Sequence, residues 1–304
     1  MYELFEFRIP REYALAHLPD EKTSQALKTV ITIRTEKHSN TYQKIISLQK
    51  LFYSQGRSFF FGWNIIRKYS NEEINQSALL HAIIKKTIHT CGEENETFYD
   101  DGPSCSYCGA GGIQKSDLIL GENKIPDTER TDIWKTYAGE IGVSAKFAKV
   151  LTALGHSPDN LAPIRKRKNT NEFIPGWLQL KTHPILYQIA PQTLVGINPF
   201  EIEPESISTN EEKPHFGEIT GSYCDSQGNY ACPLGHTIGL NLLSEIFVFH
   251  RPESLPISWT EQCIGVRRGV LRPEHCLIIN SDLHRAIQAC AIKGLEFEMA
   301  YQKI

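Results

Sequence analysis

The sequence lacks the features that mark several large classes of protein. None of its apolar runs approaches the roughly 18–20 residues that a helix needs to cross a bilayer, so we expect no association with a membrane. Its net charge is −3, whereas nucleic-acid-binding domains usually carry a strongly basic face. With 304 residues, of which 40% are hydrophobic, the chain can bury a proper core without help from a metal.

Motifs of the common hydrolase and nucleotide-binding classes are also missing. The chain contains no H-E-x-x-H, G-x-S-x-G or G-x-x-x-x-G-K-[ST] sequence, and no H-x-E precedes a P-C-x-x-C as it does in zinc deaminases. We therefore predict a protein without enzymatic activity. A cysteine-dependent hydrolase stays open as an alternative, because the partners of a nucleophilic thiol are often distant in sequence.

An export signal is not evident either. Acidic residues begin at Glu3, and the first residues contain no apolar core of a signal peptide, so we expect a cytoplasmic protein. Structural disulfides are rare in that compartment, which makes the eight cysteines either small buried hydrophobes or metal ligands. We predict that four of them are simply buried: Cys91, Cys263, Cys276 and Cys290.

The periodicity of the apolar residues predicts an α+β fold of mixed or antiparallel sheets with a few helices and a zinc-ribbon-like knuckle. Strands are expected at 2–9, 58–69, 116–120, 177–181 and 185–190, and helix within 20–54; the segment 75–89 is ambiguous. Ser144 is expected to cap a helix over 144–155, and Ser281 one that ends before Gly294 and a final strand. A polar run at 91–104 suggests an N-terminal α/β region over 1–100 and a C-terminal α+β zinc-binding domain over 101–304.

Two cysteine-bearing stretches have the spacing of a zinc site. In SCSYCGAGG at 104–112, Cys105 and Cys108 form a C-x2-C pair followed by glycines, whose backbone amides can approach the thiolates. In YACPLGHTIG at 230–239, Cys232 and His236 lie four apart around Pro233 and Gly235, which favour a tight turn. Zinc takes four tetrahedral ligands, so we predict a structural zinc site formed by Cys105, Cys108, Cys232 and His236.

The fourth ligand is left open between two residues. Cys224 lies in the hairpin candidate SYCDSQGNYACP at 222–233, across from Cys232, and competes with His236. A redox role of the C-x2-C pair is disfavoured, because Gly-Ala-Gly-Gly is a poor start for the helix that such motifs precede. A closed four-ligand site would leave no position for water, which indicates a structural ion without a cofactor role in catalysis.

Other conspicuous residues have plainer interpretations. The basic run Arg165 to Lys168 is placed in a solvated loop, since no aromatic residues interleave with it as in a nucleic-acid-binding segment. His275 and Cys276 are adjacent, and neighbours in a strand point to opposite faces, so their proximity is taken as coincidence. Glu245, in GLNLLSE, is either functional or a turn residue.

Three segments resemble a bacterial family, the double-CxxCG motif proteins. They are CGAGGIQKSDLIL at 108–120, AGEIGVSAKFAKVL at 138–151 and CPLGHTIGLNLLSE at 232–245, and the resemblance runs from about residue 100 to the C-terminus. The second motif departs from the family name: it is CPLGH rather than CxxCG, so a histidine would replace a cysteine as the fourth ligand.

This resemblance implies a function that the residues alone do not. Some members of the family are described as immunity proteins, which neutralise a toxin delivered between neighbouring bacteria. The implied partner is a cognate protein toxin, and the acidic segment 201–212 could face a basic surface of that toxin. A zinc-ribbon-like nucleic-acid-binding protein is the alternative, and a basic stripe continuous with 165–168 would favour it.

Overall fold

The protein is a mixed α+β structure. A computed structural model describes residues 1–19, 21, 25–103, 112–181, 186–196, 200, 241–250, 255–264 and 274–303. Within these residues, most regular structure is β-sheet, accompanied by five α-helices, so the predicted fold class is confirmed at this level. The chain divides into two compact units, residues 1–73 with 200–203, and residues 74–199 with 204–304.

The first unit consists of a four-stranded antiparallel sheet and helices. Its strands have the order β2-β3-β1-β4. The elements are β1 (Tyr2–Pro10), α1 (Arg11–His17), β2 (Gln25–Ala26), β3 (Val30–Glu36), α2 (Asn40–Tyr53) and β4 (Gly62–Lys68), and the short helix α3 (Asn71–Gln76) spans the division between the units.

Alternation in the sequence explains how β1 and α2 pack in this unit. Phe5, Phe7 and Ile9 lie at every second position of β1 and are buried, as expected for a strand with one face on the core. Ser39 caps α2 by accepting a hydrogen bond from the amide of Tyr42 at 3.1 Å, which satisfies one of the helix's free N–H groups. The helix that was expected within 20–54 is thus confirmed in its second half, and β3 occupies part of the first.

An aromatic cluster forms the core of the first unit. The ring of Phe200 lies 5.6 Å from that of Phe7 and 5.3 Å from that of Trp63, and Phe60 and Tyr42 complete the cluster. Such tilted and edge-to-face contacts are favourable beyond the area they bury. Phe200, distant in sequence, therefore belongs to the core of this unit.

In its described residues, the second unit contains two six-stranded sheets and two short strand pairs. The orders in the large sheets are β6-β10-β11-β13-β12-β9 and β14-β18-β19-β5-β20-β17, and the pairs are β7-β8 and β15-β16. The strands are β5 (Leu79–Ile84), β6 (Thr87–Ile88), β7 (Tyr99–Asp100), β8 (Ile113–Gln114), β9 (Ile119–Leu120), β10 (Ile133–Thr136), β11 (Ile141–Ser144), β12 (Leu161–Lys166), β13 (Phe173–Leu180), β14 (Leu186–Tyr187), β15 (Val195–Gly196), β16 (Asn241–Leu242), β17 (Ile246–Phe249), β18 (Ile257–Ile264), β19 (Glu274–Asn280) and β20 (Leu295–Lys303). The helices are α4 (Ala145–Ala153) and α5 (Ser281–Ala289).

The main core of this unit lies between the helices and strands of both large sheets. Phe147 and Leu151 of α4 pack in one cluster with Leu283 and Ile287 of α5 and with Trp259 of β18. Each helix contributes residues three or four apart, the spacing of an amphipathic helix. The two helices therefore join the sheets through one apolar core.

The division between the units differs from the boundary that the sequence suggested near residue 100. It falls between Glu73 and Ile74. Strand β5, which precedes the suggested boundary, is hydrogen-bonded to β19 on one side and to β20 on the other. Long-range pairing thus ties 74–100 to the C-terminal part of the chain, and the polar run at 91–104 lies within the second unit.

Two details of the predicted elements are corrected, and one ambiguous segment is resolved. The cap of α5 is Asn280, whose Oδ1 accepts from the amide of Leu283 at 2.9 Å, one residue before the expected Ser281. Arg165 and Lys166 of the basic run lie in β12 rather than in a loop. The ambiguous segment 75–89 forms mainly strands β5 and β6.

Candidate functional site

The cysteines and the histidine of the predicted zinc site lie outside the described residues. These are Cys105, Cys108, Cys232 and His236, together with the competing ligand Cys224 and the hairpin at 222–233. The strands on either side of them are described. Strand β7 pairs antiparallel with β8, on the two sides of 101–112, and β15 pairs antiparallel with β16, on the two sides of 197–240. Each donor-bearing segment therefore runs between two strands that are paired at its base.

The pair β7-β8, with the adjoining Phe98 and Lys115, is called the first ribbon below. Tyr99 lies opposite Gln114 and Asp100 opposite Ile113, and the amide of Lys115 donates to the carbonyl of Phe98 at 2.9 Å. Because directly opposite residues share a face, Phe98, Asp100, Ile113 and Lys115 lie on one face and Tyr99 and Gln114 on the other.

The inner face of the first ribbon is held by side-chain hydrogen bonds. The hydroxyl of Tyr99 donates to Oε1 of Glu140 at 2.5 Å. Gln114 and the buried Gln179 of β13 exchange two amide hydrogen bonds, at 3.0 and 2.7 Å. These contacts fix the ribbon to the sheet that contains β11 and β13.

The carboxylate of Glu140 is a junction between the ribbon and the turn after β10. It also accepts from the amide of Gly92 at 2.9 Å and from the hydroxyl of Thr136. The nearby thiol of Cys91 is buried and hydrogen-bonds to Tyr137, and burial raises the pKa of Cys91. These polar groups stabilise the base of the first ribbon.

The outer face of the first ribbon exposes two large apolar side chains. Phe98 is 63% exposed and Ile113 44% exposed. Beside them, Lys115 and Asp100 form an ion pair at 3.7 Å, both partners being substantially exposed. The ribbon thus presents an apolar pair with a polar edge, directly beside the segment that carries Cys105 and Cys108.

The pair β15-β16, called the second ribbon below, is closed by further hydrogen bonds. The amide of Leu194 donates to Oγ of Ser244 at 2.8 Å, and the amide of Leu243 donates to the carbonyl of Leu194 at 2.8 Å. Glu245, left open between a functional and a structural role, accepts a hydrogen bond from the hydroxyl of Tyr301 at 3.2 Å. That contact ties the end of the second ribbon to β20.

Of the four cysteines that were expected to be buried, three are. Cys91, Cys263 and Cys276 are free and buried, whereas Cys290 is free and exposed. The expectation for Cys290 is wrong because α5 turns Leu283, His284 and Ile287 inward, and Cys290 lies past this face as the C-terminal cap. His284 takes the inward position instead, with its ring 4.8 Å from that of Phe297.

The side chains of the adjacent His275 and Cys276 have different neighbours, as expected for consecutive residues of a strand. Nδ1 of His275 lies 2.7 Å from the carbonyl of Thr260 and 3.5 Å from Sγ of Cys263, while Cys276 packs among apolar residues that include Tyr187 and Ile278. Burial lowers the pKa of His275. Burial, with the charges of Cys276 and Glu274, raises the pKa of Cys263 to about 12. This thiol–imidazole pair is therefore neutral at physiological pH.

A second thiol lies near an imidazole and a carboxylate, an arrangement that the sequence analysis missed. His81 of β5 is the register partner of Glu298 in β20 and of Ile278 in β19, and Cys276 lies two residues from Ile278. Nδ1 of His81 is 3.9 Å from Oε2 of Glu298. Each of these apolar strands has one polar or thiol side chain at an inward position, and this was the available signal in the sequence. The sequence does not show which strands are neighbours, so it did not reveal that these side chains lie close together.

Half of the basic run is engaged by acidic residues. Arg165 pairs with Asp117 at 2.7 Å and lies over the ring of Phe173. Lys166 pairs with Glu122 at 3.0 Å and with Glu172 at 2.9 Å. These carboxylates neutralise much of the positive charge of Arg165 and Lys166, which therefore attracts a nucleic-acid phosphate backbone less strongly.

Comparisons of the sequence with known proteins do not assign it to a family. Models of known protein families do not match the sequence, and no curated protein is similar to it. In the described part of the chain, no three His, Cys, Asp or Glu side chains are grouped so as to hold a metal ion. The helices described there are all too short or too polar to cross a bilayer.

Proposed function

We propose that the protein is a non-enzymatic, zinc-stabilised binding protein, and specifically an immunity protein that neutralises a cognate protein toxin. The observation that carries the binding role is the outer face of the first ribbon, where Phe98 and Ile113 are both exposed on the same face. Aromatic residues that fill a partner's pocket supply much of the affinity in protein complexes. The toxin as partner rests on the resemblance to the double-CxxCG motif proteins.

The proposed zinc ligands are Cys105, Cys108, Cys232 and either His236 or Cys224. Three thiolates with an imidazole, or four thiolates, are donor sets that tetrahedral zinc accepts. The paired strands at the base of each segment support the proposal, because they hold the ends of 101–112 and 197–240 close and reduce the entropy lost on ordering the ligands. When bound, zinc would supply only a structural link between the two segments.

A rigid first ribbon suits a binding surface. Its inner face is fixed through Glu140 and Gln179, so its outer face loses little conformational freedom when a partner binds. The two alternatives have less support. The ion pairs of Arg165 and Lys166 weigh against nucleic acid, and the 3.9 Å between His81 and Glu298 exceeds the hydrogen-bond reach of a catalytic relay.

Replacing Phe98 and Ile113 by serine is expected to weaken toxin binding by at least about 30-fold, because the loss of an apolar anchor costs about 2 kcal/mol or more. The partner to test is the toxin-like product of a neighbouring gene. Co-expression measures rescue from that product, and a pull-down followed by titration measures the affinity. The Phe98→Ser/Ile113→Ser variant should fail to rescue.

The matched control is Leu51→Ser, which changes another large apolar side chain that is 51% exposed in the first unit. This variant should rescue as well as the wild type does. The proposal is wrong if the ribbon variant binds and rescues normally, or if the wild type rescues from none of the neighbouring toxin-like products.

A further inference from the structure

The outer face of the first ribbon has four side chains at the corners of one cell of the strand pair. Phe98 lies opposite Lys115, and Asp100 lies opposite Ile113. One diagonal of this cell is therefore apolar, from Phe98 to Ile113. The other diagonal is the ion pair of Asp100 and Lys115 at 3.7 Å, whose side chains are 40% and 46% exposed. All four side chains are thus accessible from solvent on the same face.

This arrangement is complementary to a second copy of itself. Consider a two-fold axis that runs parallel to the face along the diagonal from Phe98 to Ile113. Rotation about it places Phe98 on Phe98 and Ile113 on Ile113 of the second copy. Because Asp100 and Lys115 lie on opposite sides of this diagonal, the same rotation places each of them over its opposite charge. A two-fold interface of this kind is closed, since both copies use the same patch.

Other two-fold arrangements of the same face match less well. An axis along the strands, or one at right angles to them in the plane of the face, places each charged side chain over an apolar one. An axis along the diagonal from Asp100 to Lys115 places each charge on a like charge, which is unfavourable. The apolar diagonal is therefore the axis that the charges of this face select.

The way the ribbon is held favours such a contact. Its inner face is fixed by the hydrogen bonds of Tyr99 to Glu140 and of Gln114 to Gln179, so little conformational freedom is lost when the outer face is covered. Phe98 is 63% exposed, and aromatic rings that stack across an interface gain more than the area they bury.

We propose that the outer face of the first ribbon is an interface between two copies of this chain. The patch is smaller than the roughly 800 Å² that each partner buries in a standard interface, so the dimer is weak and reversible, with a dissociation constant of ~0.1 mM. The toxin proposed above would use the same face, so the toxin and the second copy exclude one another. Self-association does not rest on that function, because it involves this protein alone.

Sedimentation equilibrium of the full-length protein, from about 10 µM to about 1 mM, measures the dissociation constant. The wild type should pass reversibly from monomer to dimer over this range. Lys115→Glu places a glutamate over Asp100 of the second copy and should raise the dissociation constant at least about tenfold. Phe98→Ser should raise it by at least about the same factor, because it removes the rings on the axis.

The matched control is Lys149→Glu, the same change of charge at an exposed lysine of α4, which should dimerise as the wild type does. A wild type that stays monomeric over the whole range would overturn the proposal. A dimer that is unaffected by Lys115→Glu, or by Phe98→Ser, would overturn it too, because the interface would then lie elsewhere. Toxin binding is measured separately, so its absence contradicts the proposed function and leaves this result unchanged.

Discussion

Replacing Gly142 by alanine is expected to lower the free energy of unfolding by about 3 kcal/mol, a large part of the total for a typical domain. Gly142 of β11 lies directly opposite Trp134 of β10. A Cβ atom at this position would overlap the indole ring of Trp134. The ring cannot yield easily, because Trp134 is fully buried and packs edge-on against Trp177 at 5.6 Å.

Urea denaturation followed by circular dichroism measures this change. Gly62→Ala is the matched control, since its added Cβ would meet Arg8 at an ordinary 3.5 Å; the control should cost less than about 1 kcal/mol. Combining Gly142→Ala with Trp134→Leu should recover part of the loss, since the smaller side chain removes the overlap. A Gly142→Ala protein as stable as the wild type would contradict the packing of this strand pair.

Replacing Asp132 by alanine is also expected to cost about 3 kcal/mol. This carboxylate is 3% exposed. It accepts from Oγ of Ser144 at 2.7 Å and from the amide of Lys293 at 2.9 Å, and Nζ of Lys146 lies 3.9 Å away. Asp132 therefore joins the capping residue of α4 to the segment before β20, and its loss leaves the partly buried amide of Lys293 without this acceptor.

Thermal and urea unfolding of Asp132→Ala measure this effect. The control is Asp282→Ala, which removes an exposed carboxylate that pairs with Arg285 on the surface of α5. Exposed pairs of this kind contribute little, so the control should lie within about 1 kcal/mol of the wild type. Equal losses in the two variants would show that Asp132 does not join the two segments.

Local signals in the sequence were sufficient to predict those helices and strands that a single feature specifies, such as a capping residue or an alternation of apolar and polar residues. Ser144 caps α4 by accepting from the amide of Phe147 at 3.1 Å, as its position before an apolar helical pattern predicts. The alternation in LEFEMAY at 295–301 gives β20, and that in the first residues gives β1. Asn280 and Ser281 are both good caps, and the pattern alone does not separate them by one residue.

Long-range pairing accounts for what the sequence did not reveal. The row of His81, Cys276 and Glu298 depends on β5 lying between β19 and β20, and no local signal specifies that order. The same pairing explains why the two units divide after residue 73 and not near residue 100, as the sequence had suggested. Arg165 and Lys166 were placed in a loop because a run of basic residues is typical of loops. Two of their acidic partners, Asp117 and Glu122, are distant in sequence, so the pairing was not evident from the run itself.

The most direct test of the proposed zinc link is the metal content of the purified protein, prepared without a chelator or a metal-binding tag and measured by elemental analysis. The account predicts one tightly bound zinc ion per chain, lost in Cys105→Ser and in Cys232→Ser together with a lower melting temperature, because the zinc affinity contributes to folding. Cys290→Ser, which changes an exposed free thiol, should retain the zinc. A wild-type protein without stoichiometric zinc, or a Cys105→Ser variant with unchanged zinc, would contradict the account.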